Sequence, residues 1–234
     1  MTVDSSGPDP RRIQSMFASI AKRYDRANTI LSGGIHHRWR KAAVRLADPK
    51  PGDRILDCAT GTGDLAIAFH KAVGERGVVV GTDFTPEMIE LARAKSPSIR
   101  FEVADVTNLP YPDASFDVAS IAFGIRNVGD PKKGIAELAR VVRSGGRVII
   151  LEFGQPPNAA VRTLYNLYSS RILPLLGGAI TGKQDAYQYL ESSAARFPCG
   201  EEFVAMMRES AKFGAIDVQR LTLGVAYLYR GVKL

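Results

Sequence analysis

The chain of 234 residues has little of what marks several protein classes. Its two cysteines, Cys58 and Cys199, are too few for a disulfide framework or a thiolate metal site. No metal is therefore expected, and the expected setting is reduced and cytoplasmic. No apolar run approaches the roughly 20 residues of a spanning helix. No Lys/Arg block is long enough to act as a nucleic-acid arm, so no nucleic-acid partner is expected. There is no internal repeat. The stretch MTVDSSGPDP, residues 1–10, is polar and Pro-rich, and reads as a disordered tail instead of a signal peptide. What remains is ordinary for one large globular domain, residues 11–234, with 45% hydrophobic and 24% charged residues. A formal charge of +7 favours anionic surroundings such as an acidic membrane face, or reflects a generally basic proteome.

Periodicity then orders the chain. Ile13, Phe17, Ile20 and Tyr24 mark one face of a helix, and a second helical stretch covers His36 to Leu46; together residues 11–47 form an N-terminal cap. From "RILDCA" onward, strands alternate with helices: "VVVGTDF", "RFEVAD", "FDVASIA" and "GGRVIILEF" are the further strands. Helices are expected over Thr85 to Lys95, with a capping Thr and a Pro at the first helical position, and over Pro131 to Val142. This alternation indicates a Rossmann-like α/β fold, a mostly parallel sheet with helices on both faces. Glu201 to Phe213 reads as helix. "IDVQRLTL" and "VAYLYRGVKL" are joined too closely for a parallel crossover, so the last strand is antiparallel and the sheet seven-stranded. Residues 155–200, rich in Tyr, Leu and Pro, read as a helical insertion and substrate lid.

Ligands of such sheets sit outside the strands' carboxyl ends. "DCATGTGDLA" is the loop after the first strand, where Gly61 and Gly63 allow close backbone approach. Gly61, Gly63 and Ala66 match G-x-G-x-x-A, with Asp83 twenty residues after Gly63, a weak dinucleotide match. Asp57 and Asp64 bracket the glycines. Each would repel a pyrophosphate by about 1–4 kcal/mol, whereas both suit the ammonium and sulfonium of S-adenosylmethionine. The structural alternative is that both merely cap the turn and helix. Asp83 and Asp105 close two further strands, and can accept from ribose hydroxyls and the adenine amino group.

Four segments carry a family resemblance: "YDRANTILSGGIHHRW", "TGTGDLA", "FGIRNVGD" and "YQYLESSAARFP". On these the chain resembles the class I S-adenosylmethionine-dependent methyltransferases, and within them the ubiquinone/menaquinone-biosynthesis C-methyltransferases. The resemblance implies methylation of a ring carbon of a prenylated quinol, such as demethylmenaquinol or a methoxy-polyprenyl-benzoquinol. It carries over Thr62, Asp83, Asp105 and Val106 as donor-binding positions; Thr60 and Phe84 beside them complete the expected set. Ala122 stands where some members have Ser, Ala27 where they have a larger apolar residue, and Tyr229 where some have His.

A neutral quinol is a weak carbon nucleophile, so a hydroxyl must lose its proton and the oxyanion must be stabilised. Arg126 is expected to supply the fixed cation, with Asn127 orienting the same oxygen or a water; the alternative is that Arg126 pairs with Asp130 or Glu152 and holds the loop. Tyr24, Asp25, His36 and His37 are the candidate bases, of which His37 reads as solvent-facing. The insertion's leucines and tyrosines read as a tail channel or as packed core. Transient contact with anionic membrane on the inner face, and a homodimer, are the further partners considered. Competing functions are a methyltransferase for a soluble small molecule, a nicotinamide-dependent dehydrogenase, and a non-catalytic partner in a quinone-synthesis assembly.

Overall fold

The computed structural model describes residues 8–234, so residues 1–7 of the stretch read as a tail lie outside it. Helix α1, Pro10–Ile20, begins inside that stretch, with Asp9 accepting the Arg11 amide at 3.0 Å and Pro10 in the first turn. A 3₁₀ turn, Ala21–Arg23, leads into α2, Tyr24–Leu31, and α3, Ile35–Ala47.

The sheet contains β1 Arg54–Cys58, β2 Val78–Asp83, β3 Arg100–Val103, β4 Phe116–Ala122, β5 Val142–Phe153, β6 Phe213–Leu221 and β7 Ala226–Lys233, in the order β3-β2-β1-β4-β5-β7-β6. Only β7 runs against its neighbours, β5 and β6. Strand alternation explains the two cores. Leu56, Cys58, Ala119, Ile121, Val148 and Ile150 face one layer, and Ile55, Val118, Ile149 and Leu151 face the other. The first layer packs with α6, Pro131–Val141, and α10, Glu201–Ser210; the second with α3, α4 (Asp64–Val73) and α5 (Pro86–Lys95). Between β1 and β4 the strand order reverses direction, which opens a crevice at their carboxyl ends.

Several boundaries differ from expectation, β5 and α10 among them. Strand β5 starts at Val142, before the glycine pair, and its pairing with β4 shifts register between Phe116 and Val118. Gly146 is needed there, because a Cβ would lie 2.7 Å from the Asp117 carbonyl. Helix α10 stops at Ser210, since Ala211 is extended and Phe213 already belongs to the sheet.

The insertion is helical: α7 Ala159–Leu167, a π turn Tyr168–Ile172, α8 Leu173–Thr181 and α9 Gln184–Arg196. Tyr187 of α9 packs with Ile20 and Ala27 in a third apolar cluster, so cap and insertion join over the sheet's carboxyl edge. Ala27 is fully buried there, where a larger side chain would need space.

Candidate active site

Two cavities open at the crevice. The larger, about 610 Å³, lies between α2, α3, the insertion and the loop after β1, and Arg126, His36, Trp39 and Tyr165 are among its lining residues. The smaller, about 350 Å³, is roofed by α1 and lined by Asp83, Phe84, Asp105, Val106 and Asn127. Tyr24, Ala59, Gly61, Ala122 and Phe123 line both, so the cavities meet at these residues. Two of them, Ala59 (φ +48°) and Phe123 (φ +56°), hold left-handed backbone without being glycine. Such conformations cost on the order of 1–3 kcal/mol each and concentrate at ligand sites.

The loop after β1 is built around hydrogen bonds to carboxylates. Gly61 has φ +56° and donates its amide to Asp83 Oδ2 at 2.8 Å, while Asp83 Oδ1 accepts the Thr85 amide at 2.9 Å. Gly63, at φ +86°, has Phe101 where a Cβ would sit, 2.8 Å from its Cζ. Burial pushes the Asp83 carboxyl above the usual carboxylate range, against the pull of these backbone donors. Asp105 is exposed, accepts the Thr107 amide at 2.8 Å, and shares the smaller cavity's wall with Val106.

Asp57 is buried, and it accepts from the hydroxyls of Thr60 and Ser120, each at 2.6 Å. Burial raises its carboxyl to about 6, against these hydroxyls. The sign follows from proton count. Between roughly pH 4 and 6 the folded state holds a proton that the unfolded state has released, so stability falls as pH rises through that window. Asp57→Asn removes this penalty while keeping an acceptor and a donor for two rotatable hydroxyls. The variant is expected to melt a few degrees above the wild type at pH 8 and level with it at pH 4; equal melting curves at both pH values would refute the assignment.

Asp64 does not present a free charge, which corrects the electrostatic argument drawn from the sequence. It pairs with Arg40 and Lys95, both at 2.8 Å, and these cations hold its carboxyl low against the effect of burial. In the smaller cavity, among the described residues, Asp83, Asp105 and Asp130 line the wall with one cation, Lys133. That excess of carboxylates disfavours a pyrophosphate and suits a cationic ligand. The residues present therefore fit S-adenosylmethionine. Asp83 keeps acceptor sites beyond those used by Gly61 and Thr85, and the open backbone at Gly61 meets nothing closer than Tyr24 Cε1, 4.0 Å from a built Cβ.

Arg126 is almost wholly buried. Its Nη1 donates to Glu152 Oε1 and to the Phe123 carbonyl, each at 2.7 Å, its Nε donates to Ser193 Oγ at 3.3 Å, and its guanidinium lies 5.2 Å from the Phe153 ring centroid. The alternative pairing with Glu152 is thus real, yet Arg126 still lines the larger cavity. Among the described residues Nη2 has no hydrogen-bond partner. Burial pushes the Glu152 carboxyl up, with Arg126 pulling it down. Asn127 lines the smaller cavity and accepts from the Tyr189 hydroxyl at 3.1 Å, tying the loop to α9. Both side chains donate to one protein oxygen, the Phe123 carbonyl, Arg126 at 2.7 Å and Asn127 at 3.4 Å, but they line different cavities.

The four candidate bases divide in the same way. Tyr24 lines both cavities, and burial raises its hydroxyl, so it stays protonated. Asp25 lines neither cavity; its carboxylate is taken by the Thr62 hydroxyl at 2.6 Å and by Lys95 at 2.5 Å, which removes it from the set of bases. His37 is exposed. His36 is buried in the larger cavity's wall with Nδ1 2.6 Å from Ser32 Oγ, and burial, then Arg40, lower it to about 4. Tyr229 is buried, accepts the Gly200 amide at 2.8 Å, and lines neither cavity.

Lys95, Arg40 and the α1 roof residue Gln14, which donates to the Phe84 carbonyl at 2.8 Å, carry roles that the sequence does not show, whereas Glu152 is one of the two partners it offers for Arg126. Only α1's apolar face pointed to any of the first three, because ion pairs across 24 to 70 residues leave no local pattern.

The ubiE/COQ5 methyltransferase family matches residues 6–233. The "Ubiquinone/menaquinone biosynthesis C-methyltransferase UbiE" of Bdellovibrio bacteriovorus is 52% identical over 98% of this chain and 99% of its own length. The "Demethylmenaquinone methyltransferase" of Thermus thermophilus is 46% identical over 92% of this chain and 99% of its own. Among solved structures, a SAM-dependent methyltransferase of Thermotoga maritima described as a possible histamine N-methyltransferase superposes with TM-score 0.68 at 21% identity, over 95% of this chain and 100% of that one, a likeness of fold. With fold, cavities and near-complete sequence coverage in agreement, the chain belongs to the ubiE/COQ5 methyltransferase family.

Proposed function

We propose that the methyl donor lies mainly in the smaller cavity and reaches the part of the larger one lined by Asp57, Thr60, Thr62 and Asp64, while the rest of the larger cavity takes the ring of a prenylated quinol, which the protein methylates on carbon. Demethylmenaquinol and a methoxy-polyprenyl-benzoquinol are the acceptor classes, after the relatives named for menaquinone and ubiquinone synthesis. As a family member the protein is an S-adenosylmethionine-dependent C-methyltransferase. The observation that carries the reading is the junction at Tyr24, where a carboxylate-rich cavity opens into a mostly apolar one containing a buried guanidinium.

When bound, S-adenosylmethionine supplies a methyl group already activated on a sulfonium. Asp83 would accept from its ribose hydroxyls, Asp105, Phe84 and the Val106 backbone would hold its adenine, and Thr60 to Asp64 would shape the loop at the other end. In the acceptor cavity, Arg126 donates from Nη2 to the quinol oxygen and lowers that hydroxyl's pKa. Glu152 weakens the guanidinium's field but fixes its orientation. Tyr24, protonated, is a donor. Of the candidate bases, His36 is the one that is neutral and in the acceptor cavity, so it takes the proton; its low basicity makes the help of Arg126 a requirement.

The test is incubation with labelled S-adenosylmethionine and reduced benzoquinol or naphthoquinol acceptors. Label on a ring carbon supports the reading, and label on oxygen or on no quinol ends it.

Among the described residues no helix is long and apolar enough to cross a membrane. A prenyl tail nevertheless requires contact with lipid. Leu164 and Leu175 are 69% and 64% exposed near the acceptor cavity, and residues 159–181 carry Arg162 and Arg171 with no acidic residue. That face suits transient docking on anionic lipid. Leu164→Glu with Leu175→Glu is expected to abolish flotation with phosphatidylglycerol vesicles at low salt without shifting the melting temperature; undiminished flotation would exclude this face.

A further inference from the structure

Lys95 ends α5, where a lysine is ordinarily a solvated partner of the helix's negative pole. Here its ammonium reaches acceptors on three other segments: Asp25 Oδ2 of α2 at 2.5 Å, Thr62 Oγ1 of the donor loop at 2.9 Å and Asp64 Oδ1 at the start of α4 at 2.8 Å. An ammonium has three N–H groups, and all are used. Asp25 Oδ1 in turn accepts the Thr62 hydroxyl at 2.6 Å, and Asp64 Oδ2 pairs with Arg40 of α3 at 2.8 Å. Neither Lys95 nor Asp25 lines a cavity. Asp25, however, directly follows Tyr24, and Thr62 directly follows Gly61, the residue beside which the Tyr24 ring lies.

We propose that Lys95 is a positioning residue for methyl transfer, clamping α2 to the donor loop so that Tyr24 stays at the opening between the two cavities. The inference rests on the donor and acceptor assignment above. Removing the ammonium does more than loosen a tether, because it leaves Asp25 and Asp64, two carboxylates gathered on one cation, to repel each other. The clamp also gives donor binding a route to the acceptor side: a ligand that orders Gly61 to Asp64 orders α2 through the same contacts.

Hydrogen exchange reads that route without turnover. In the wild type, S-adenosylhomocysteine is expected to slow exchange of the amides of Tyr24–Leu31. In Lys95→Met this protection should vanish while the S-adenosylhomocysteine Kd stays within about threefold, and kcat should fall about 10–100-fold with a raised quinol KM. Lys95→Arg, which can still bridge two carboxylates, should restore both the protection and the rate. Ligand-dependent protection that survives in Lys95→Met, or a lowered melting temperature with unchanged kcat, would overturn the proposal. Failure of the donor and acceptor assignment would look different: the wild type would transfer label to no quinol, whatever its exchange pattern.

Discussion

Replacing Arg126 with Ala is expected to cost both stability and rate, and the two losses separate in companion variants. With the guanidinium gone, Glu152 is left with 2% of its side chain exposed and no cation beside it. Breaking a buried pair in this way costs about 3–5 kcal/mol, which for a chain of this size lowers the melting temperature by about 6–20 °C. Arg126→Met combined with Glu152→Gln removes both charges together and should regain most of that stability. Turnover should remain about 10²–10³-fold down in the double variant, the usual cost of losing a preorganised donor at an oxyanion. Arg126→Lys keeps a cation for Glu152 but loses the planar fork whose other nitrogen serves the substrate. It should melt near the wild type and turn over as poorly as the double variant, with S-adenosylhomocysteine affinity unchanged. A lysine variant of nearly full activity would reduce Arg126 to a strut for the loop after β4.

The sequence offers that pairing only as an alternative, because nothing local chooses between Asp130 and Glu152. The first five strands were legible because each is a short, largely apolar run closed by a turn or loop, and alternation along "RILDC" and "FDVASIA" places their residues in the two cores observed. The acidic strand ends were legible for the same reason: the fold fixes where a strand's carboxyl end lies, so Asp83 and Asp105 had to meet the crevice. What a carboxylate does there depends on partners distant in the chain. Asp64 looked free beside its glycines and is neutralised by Arg40 and Lys95. Asp25 stood beside Tyr24 in the sequence, yet successive residues on a helix point about 100° apart, and only Tyr24 reaches the cavities. The same rule applies in the 3₁₀ turn Ile125–Asn127, where adjacent Arg126 and Asn127 enter different cavities. Adjacency in sequence does not by itself make two side chains partners in chemistry; the local turn sets which cavity each one lines.

The second large effect concerns Asp83, and an isosteric change isolates it. In Asp83→Asn one oxygen can still accept either the Gly61 or the Thr85 amide, but the new NH₂ opposes the other amide, donor against donor. A buried amide left without an acceptor costs about 1–3 kcal/mol, so the loop carrying Gly61 must shift. The donor also loses the charged acceptor for its ribose hydroxyls, and hydrogen bonds to a charged group contribute about 1.5–3 kcal/mol each. Two such bonds correspond to an affinity loss of about 10²–10⁴-fold, measured as S-adenosylhomocysteine binding by calorimetry. The pH response supplies an independent check. Burial holds the folded carboxyl above the ordinary aspartate range, and the donor needs it ionised. Wild-type affinity should therefore decline on acidification sooner than an unperturbed aspartate near pH 3.9 would allow, and bound donor should draw that carboxyl's pKa down. In Asp83→Asn there is no proton to gain at this position, so the decline should flatten. An asparagine variant that binds the donor product within about threefold of the wild type, or one that keeps the acid limb, would place the ribose contact elsewhere in the smaller cavity.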